Sequence, residues 1–305
     1  MDTVYKYCGA HGLKILRDLE LKVTPPNQFN DPFEFTPTMF CSDPVRYATR
    51  NLEREPNLKV LYEMCRSDGK FSGSFREFQE IAKKEMPKWI AILAEAPQYT
   101  LPLVEEEFLD EVSKRHGVLC MSQRRDSILM WGHYCDKPLG LVIGFDSSSV
   151  FFHQGKGLRP VTYVSNRVVH DACWEDGSPE MANFENQIIF SKSVDWIYEQ
   201  EFRQIFTLSS LTKKPLEEKS KNSRSFLRKC ARSFLRCVGL RDKDHTLGYF
   251  LSFPPEAVVS VTLGPRSSPE LESEVQQILQ KPCFSHVEKP DRAVLHKNDF
   301  VIEFE

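Results

Sequence analysis

The stretch SVDWIYEQEFRQIF, residues 193–206, sets the tightest condition on what this chain can fold into. It reads as a β-strand, and a strand alternates its side chains with period two. Trp196, Tyr198, Gln200, Phe202 and Gln204 then point one way, and Glu199, Glu201 and Arg203 the other. Adjacent carboxylates repel, and burying them is costly unless they are paired or used. The apolar end of the stretch suggests a strand entering the core, which favours a cleft wall. There, one acid can stabilise a cation while the other positions an acceptor. A solvated edge strand with Glu and Arg paired across its surface is the plainer alternative.

The rest of the chain supplies a mixed sheet for that strand. TVYKYC is strand-like, GLKILRDL helix-like and ELKVTPP strand-like, followed by the turn-rich NQFNDPFEF. Asn30 and Asp31 before Pro32 favour a fixed corner, because their side chains bond back to the backbone and proline restricts its neighbours. Residues 43–115 carry apolar side chains at helical spacing and read as a helical insertion. Strands return at GVLCMS (117–122) and, after a short helix DSILMWGHYCD (126–136) with Asp126 as its N-cap, at the buried PLGLVIGFD (138–146). PEMANFENQIIF reads as helix. AVVSVTLG, FSHVEKP and DFVIEFE read as strands around the helix SSPELESEVQQILQ. The expectation is one α+β domain over residues 1–305, with helical insertions at 43–115 and, more basic, at 211–245.

Composition narrows the class. The chain has 305 residues and a formal charge of −3, so nucleic-acid binding would need a local patch. Lys213 to Lys243 hold eleven Lys or Arg against three acids, and Arg224, Arg228, Arg232 and Arg236 are the candidate phosphate contacts. An exposed helix with one solvated face explains the same run without any ligand. The nine cysteines show no CxxC pair, which fits reduced thiols in a cytoplasm. No metal-type Cys/His spacing, signal peptide or membrane-spanning run is visible, so neither a metal nor a membrane partner is expected. GxGxxG and GxxxxGK motifs are missing too, which argues against Rossmann or P-loop nucleotide binding. In MWGHYCD, Met130, Trp131 and Tyr134 fit one helix side beside His133. That is core packing, or a wall on which a planar ring stacks.

The ordered set YKYC, LKILRDLELKVTPPNQFNDPFEF, LCMS, ILMWGHYCDKPLGLVIGFD, DWIYEQEFRQIF and AVVSVTLGP resembles a widespread, largely uncharacterised bacterial domain family found with phage-defence and abortive-infection genes. The order of elements also resembles the ADP-ribosyltransferase fold, especially DarT-type nucleic-acid-modifying toxins and RNA 2′-phosphotransferases. The resemblance implies a mixed, split sheet and NAD consumed as substrate. Glu201, as second acid of the ExE pair, would be the catalytic residue, with Glu199 orienting the acceptor and His133 beside them. Tyr5, Lys6, Tyr7, Asn30, Asp31, Ser122, Trp131, Tyr134 and Arg203 would contact NAD. Cys8 stands where many relatives carry Arg. The implied protein is a toxin or anti-phage effector acting on RNA, DNA or protein, with an antitoxin or other defence protein as partner. A non-enzymatic ligand-sensing module and a nuclease using His133 and the acids are the rival expectations.

Overall fold

The structure is a computed structural model that describes residues 3–9, 11–95, 97, 101–136, 139–175, 177–215 and 247–305. Most of the expected basic insertion at 211–245, with Arg224, Arg228, Arg232 and Arg236, lies outside the described residues. In chain order the first elements are β1 (Thr3–Cys8), α1 (Gly12–Asp18), β2 (Glu20–Val23), β3 (Thr38–Phe40), α2 (Pro44–Glu53), α3 (Glu55–Ser67), α4 (Phe75–Glu95) and α5 (Leu101–Arg115). Then come β4 (His116–Ser122), α6 (Ile128–Tyr134), β5 (Leu141–Asp146), β6 (Arg159–Pro160), β7 (Thr162–Val164), β8 (Val169–Asp171), α7 (Pro179–Phe190), β9 (Ser191–Ser193) and β10 (Glu201–Thr207). The last are β11 (Thr212–Pro215), β12 (Leu247–Ser252), β13 (Val258–Leu263), α8 (Pro269–Leu279), β14 (Asp291–Leu295) and β15 (Ile302–Phe304). The fold is α+β, as the segment pattern implied. The residues cluster into two compact units: Met1–Asn30, Val112–Tyr163 and Val194–Glu305 in the first, Asp31–Glu111 and Val164–Ser193 in the second.

The first unit is built on an eight-stranded mixed sheet, ordered β15-β14-β13-β5-β1-β4-β10-β6 among the described residues. β5, LVIGFD, is its central strand, buried over its first five residues and flanked by β1 and β13. Its apolar run needs cover on both faces, and gets it. On one face Val4, Cys8, Leu119, Met121, Ile143 and Phe145 meet Leu16 of α1 and Leu271, Val275 and Ile278 of α8. On the other, Tyr7 and Val142 meet Met130 and Trp131 of α6, Ala293 and Ile302. Each such buried side chain contributes about 1.5–3 kcal/mol. Gly140 enters β5 where only hydrogen fits, since a Cβ there would lie 2.0 Å from the Cys8 carbonyl oxygen. A second sheet pairs β11, β12 and β2.

Helix starts follow a repeated signal, an oxygen-bearing N-cap before proline. Asp43 accepts from Arg46 N, Ser178 from Met181 N and Ser268 from Leu271 N, each with Pro next. Two sequence expectations are corrected. The N-cap of α6 is Ser127, because the Asp126 carboxylate is taken by a bidentate pair with Arg124 at 2.8 and 2.9 Å. FSHVEKP is no strand: Phe284 and Val287 stand three apart, a turn spacing, and Val287 N donates to Phe284 O. β14 starts after it, at Asp291.

In the second unit β3 and β8 pair in parallel, and α2, α3 and α4 pack around Tyr47, Leu58, Tyr62, Phe78 and Ala82. His170 is buried, stacked on Trp174 and edge-on to Phe184. Burial pushes its imidazole down to about 4. Glu34 and Lys192 form an ion pair at 3.1 Å with both side chains almost fully buried. Among the described residues no helix is long and apolar enough to cross a membrane.

Candidate functional site

Three neighbouring strands of the first unit set out the site. Register pairs Tyr5 of β1 with Ser122 of β4, and Ser122 with Glu201 of β10. Directly paired residues share a face, so Tyr5, Ser122 and Glu201 form one row across the sheet. That row marks a parting of strands. β1 and β4 share the one register pair Tyr5–Ser122. Further along, Lys6 Nζ donates to the Cys120 carbonyl at 2.8 Å, and Val118 exchanges both backbone bonds with Thr24, just past β2.

Glu201 and Arg203 stand two residues apart on β10 and pair bidentately, Nε to Oε1 at 2.9 Å and Nη2 to Oε2 at 3.0 Å. Arg203 is 0% exposed and Glu201 5%. The Phe29 ring lies 5.6 Å from the guanidinium carbon. Such a fork fixes the plane of the carboxylate as well as neutralising it. The Glu201 backbone N–H donates to the Tyr163 hydroxyl at 2.8 Å. Burial, and then the neighbouring Glu201 charge, push the Cys120 thiol well above its usual range.

Glu199 does not lie on the strand, which corrects the expectation that it shares a face with Glu201 and Arg203. Val194–Glu199 is a 3-10 helix, and β10 begins only at Glu201. The reason is Gln200, whose φ of 42° turns the chain between them. That left-handed conformation costs an L-residue roughly 1–2 kcal/mol. The end of β4 holds the turn, since Ser122 Oγ donates to Glu199 O at 2.6 Å and Gln123 N to Gln200 O at 3.0 Å. Glu199 is also buried, and its Oε1 accepts from the Tyr134 hydroxyl at 2.7 Å. Glu201 is thus forked to Arg203 along the strand, and Glu199 is bonded to Tyr134 of α6.

An aromatic group adjoins Glu199. His133 is exposed, its Nδ1 lies 3.1 Å from the Tyr198 hydroxyl, and its ring centroid is 6.2 Å from that of Trp196. Tyr134, Trp196 and Tyr198 are half-buried. α6 thus brings His133 and Tyr134 beside the 3-10 helix. Trp131 of the same helix is core instead: it is 1% exposed, packs edge-on to Tyr7 at 5.6 Å and donates from Nε1 to Arg125 O. Tyr7 is buried likewise, and burial raises its phenol far above the ordinary value. Asn30 is exposed at the end of its segment of the first unit. Asp31 belongs to the second unit, where its Oδ1 accepts from Phe33 N at 2.9 Å and makes the corner that its sequence implied.

Tyr163, Cys120 and Phe29 were not anticipated. They reach Glu201 and Arg203 through strand register and the chain path, and no local motif marks them. Among the described residues no three His, Cys, Asp or Glu side chains converge as metal ligands would.

Residues 130–204 match the model of a family described as Protein of unknown function (DUF2971). The matched span runs from α6 through β5 to the middle of β10, and so includes His133, Tyr134, Glu199, Glu201 and Arg203. No curated protein and no solved structure matches the chain.

Proposed function

We propose that the first unit consumes NAD and transfers ADP-ribose to an acceptor. The observation that carries this reading is the row Tyr5, Ser122 and Glu201 across three strands, at the place where β1 and β4 part. A carboxylate fixed by a buried guanidinium suits a reaction in which positive charge develops on ribose. In that reaction the bond from ribose C1′ to the nicotinamide nitrogen breaks, and a bond from C1′ to the acceptor forms. The acceptor's proton passes to a base, and Glu199, held by Tyr134, is the group for that step. Ser122 Oγ braces the chain ahead of Glu201 through its bond to Glu199 O, and His133, Trp196 and Tyr198 offer ring faces for a planar group.

Nucleic acid is the proposed acceptor, on the basic composition of 213–243, and a toxin-like defence effector is the matching role. One observation favours a second reading. Glu201 is already paired bidentately and is 5% exposed, which suits a ligand-sensing module whose acid only braces the sheet. Incubating the pure protein with NAD labelled in its adenylate half, together with RNA, DNA or cell protein, separates the two. Transfer expects free nicotinamide and label in one of the three fractions. Intact NAD with unlabelled fractions overturns it and leaves the sensing module.

A further inference from the structure

The second unit holds a pair of thiols apart from the residues discussed so far. Cys41 follows β3 and Cys173 follows β8, and their Sγ atoms lie 3.6 Å apart although 132 positions separate them. That is sulfur contact distance, against about 2.05 Å in a disulfide. Both thiols are held where they are. β3 and β8 pair Phe40 with Asp171, and Ala172 N donates to Phe40 O at 2.8 Å. One oxygen of Asp171 accepts from Ser42 N at 3.2 Å and from Cys173 N at 2.9 Å, so a single carboxylate ties the residues flanking the thiols. Cys173 Sγ is further placed by a contact with Asp43 O at 3.3 Å. Arg50 donates to the carbonyls of Ala172 and Trp174 and anchors the same loop to α2. Cys173 is 6% exposed, while Cys41 is half-buried and open to a small reagent. Burial and the facing thiol push Cys41 up to about 12, so the thiol is protonated at neutral pH and reacts slowly, which calls for peroxide in excess.

We propose that Cys41 and Cys173 are a dithiol modification site, oxidised by a peroxide to a disulfide. In the first step the Cys41 sulfur attacks a peroxide oxygen, the O–O bond breaks, and Cys41 becomes a sulfenic acid as one water leaves. In the second, the Cys173 sulfur attacks the Cys41 sulfur, the S–O bond breaks, and the second water leaves. Two thiols lose two protons and two electrons, and one hydrogen peroxide takes them up. Attack begins at Cys41 because it is the more open of the two, and Cys173 resolves it from contact distance. The closed bond spans a long stretch of chain, so it restrains the unfolded state more than the folded one.

The test is oxidation of the full chain with excess hydrogen peroxide, alkylation of remaining thiols, proteolysis and mass spectrometry. The expected result is a Cys41–Cys173 linked peptide two hydrogens lighter than the sum of its parts, with Cys283, which is exposed, unlinked. The oxidised protein should melt about 5 °C higher, and a reductant should reverse the shift. Cys173→Ser should then leave Cys41 as a trappable sulfenic acid, with no gain in melting temperature. Oxidation of Cys41 to sulfinic acid in the unsubstituted chain, or linkage of either residue to another cysteine, would overturn the proposal. So would full alkylation of both thiols after peroxide.

Discussion

The buried pair Glu201–Arg203 allows a sharp test of how the first unit is held together. Replacing Arg203 by Met keeps much of the volume and removes the charge. It leaves the Glu201 carboxylate at 5% exposure without either guanidinium bond, beside the Cys120 thiol, which is a weak donor. Breaking a buried pair from one side costs about 3–5 kcal/mol. In a unit of this size that lowers the melting temperature by roughly 10 °C. Glu201→Gln should cost less, about 1–3 kcal/mol, because its amide oxygen still accepts one of the two bonds. Removing both charges together, Glu201→Leu with Arg203→Met, should recover most of the loss, since apolar replacement of a whole buried pair is often neutral. Urea unfolding followed by circular dichroism on the unsubstituted protein, Glu201→Leu, Arg203→Met and the double variant gives the coupling energy directly. An Arg203→Met midpoint matching that of the unsubstituted protein would refute the buried fork. So would simple additivity in the double variant. The same series bears on catalysis: assayed well below its own melting temperature, Glu201→Gln should lose at least a hundredfold in nicotinamide release. A folded Glu201→Gln with undiminished release removes Glu201 from the chemistry.

Three further outcomes are expected. Glu199→Gln retains an acceptor for Tyr134 but no longer takes a proton, so it should slow transfer to the acceptor more than hydrolysis of NAD; equal loss in both assays would count against its role as base. His170 is held neutral near 4 against about 6.5 in an unfolded chain, so between these values the unfolded form binds a proton that the folded form does not. The second unit should therefore lose stability as pH falls from 6.5 towards 4, by roughly 3 kcal/mol in all, and His170→Gln should remove that portion of the pH dependence in melting curves. Gly140→Ala, which drives a methyl group against the Cys8 carbonyl, should destabilise by about 1–3 kcal/mol in thermal melts, and an unchanged melting temperature would contradict the close approach of β5 to β1.

What could be read in advance, and what could not, follows from the range of the forces involved. The apolar run of β5 and the N-cap–proline starts at Asp43, Ser178 and Ser268 depend on neighbours in sequence, and they stand in the fold as those neighbours imply. The fork between Glu201 and Arg203 was half legible: period two put them on one face, but nothing local said how deeply they would be buried. The row with Tyr5 and Ser122 was legible only through the order of segments, and its register comes from pairing over long separations. Trp131 was ambiguous because core packing and ligand stacking ask for the same side chain, and contact with Tyr7 decides for the core.

Glu199 shows why period alone misleads at such a place. Extending the strand back through Gln200 would have set two carboxylates side by side on a buried face, where repulsion and desolvation act together. The chain escapes this with one residue in the left-handed region. Glutamine carries none of the usual marks of that conformation, unlike glycine or asparagine, so the turn was invisible in the sequence. Its cost, roughly 1–2 kcal/mol, is small beside that of an unpaired buried carboxylate. Ser122 holds the turn from the end of β4, and Tyr134 receives the displaced acid from α6. Glu201 then stands on the strand, forked to the Arg203 guanidinium, and Glu199 stands before it on the 3-10 helix, bonded to the Tyr134 phenol.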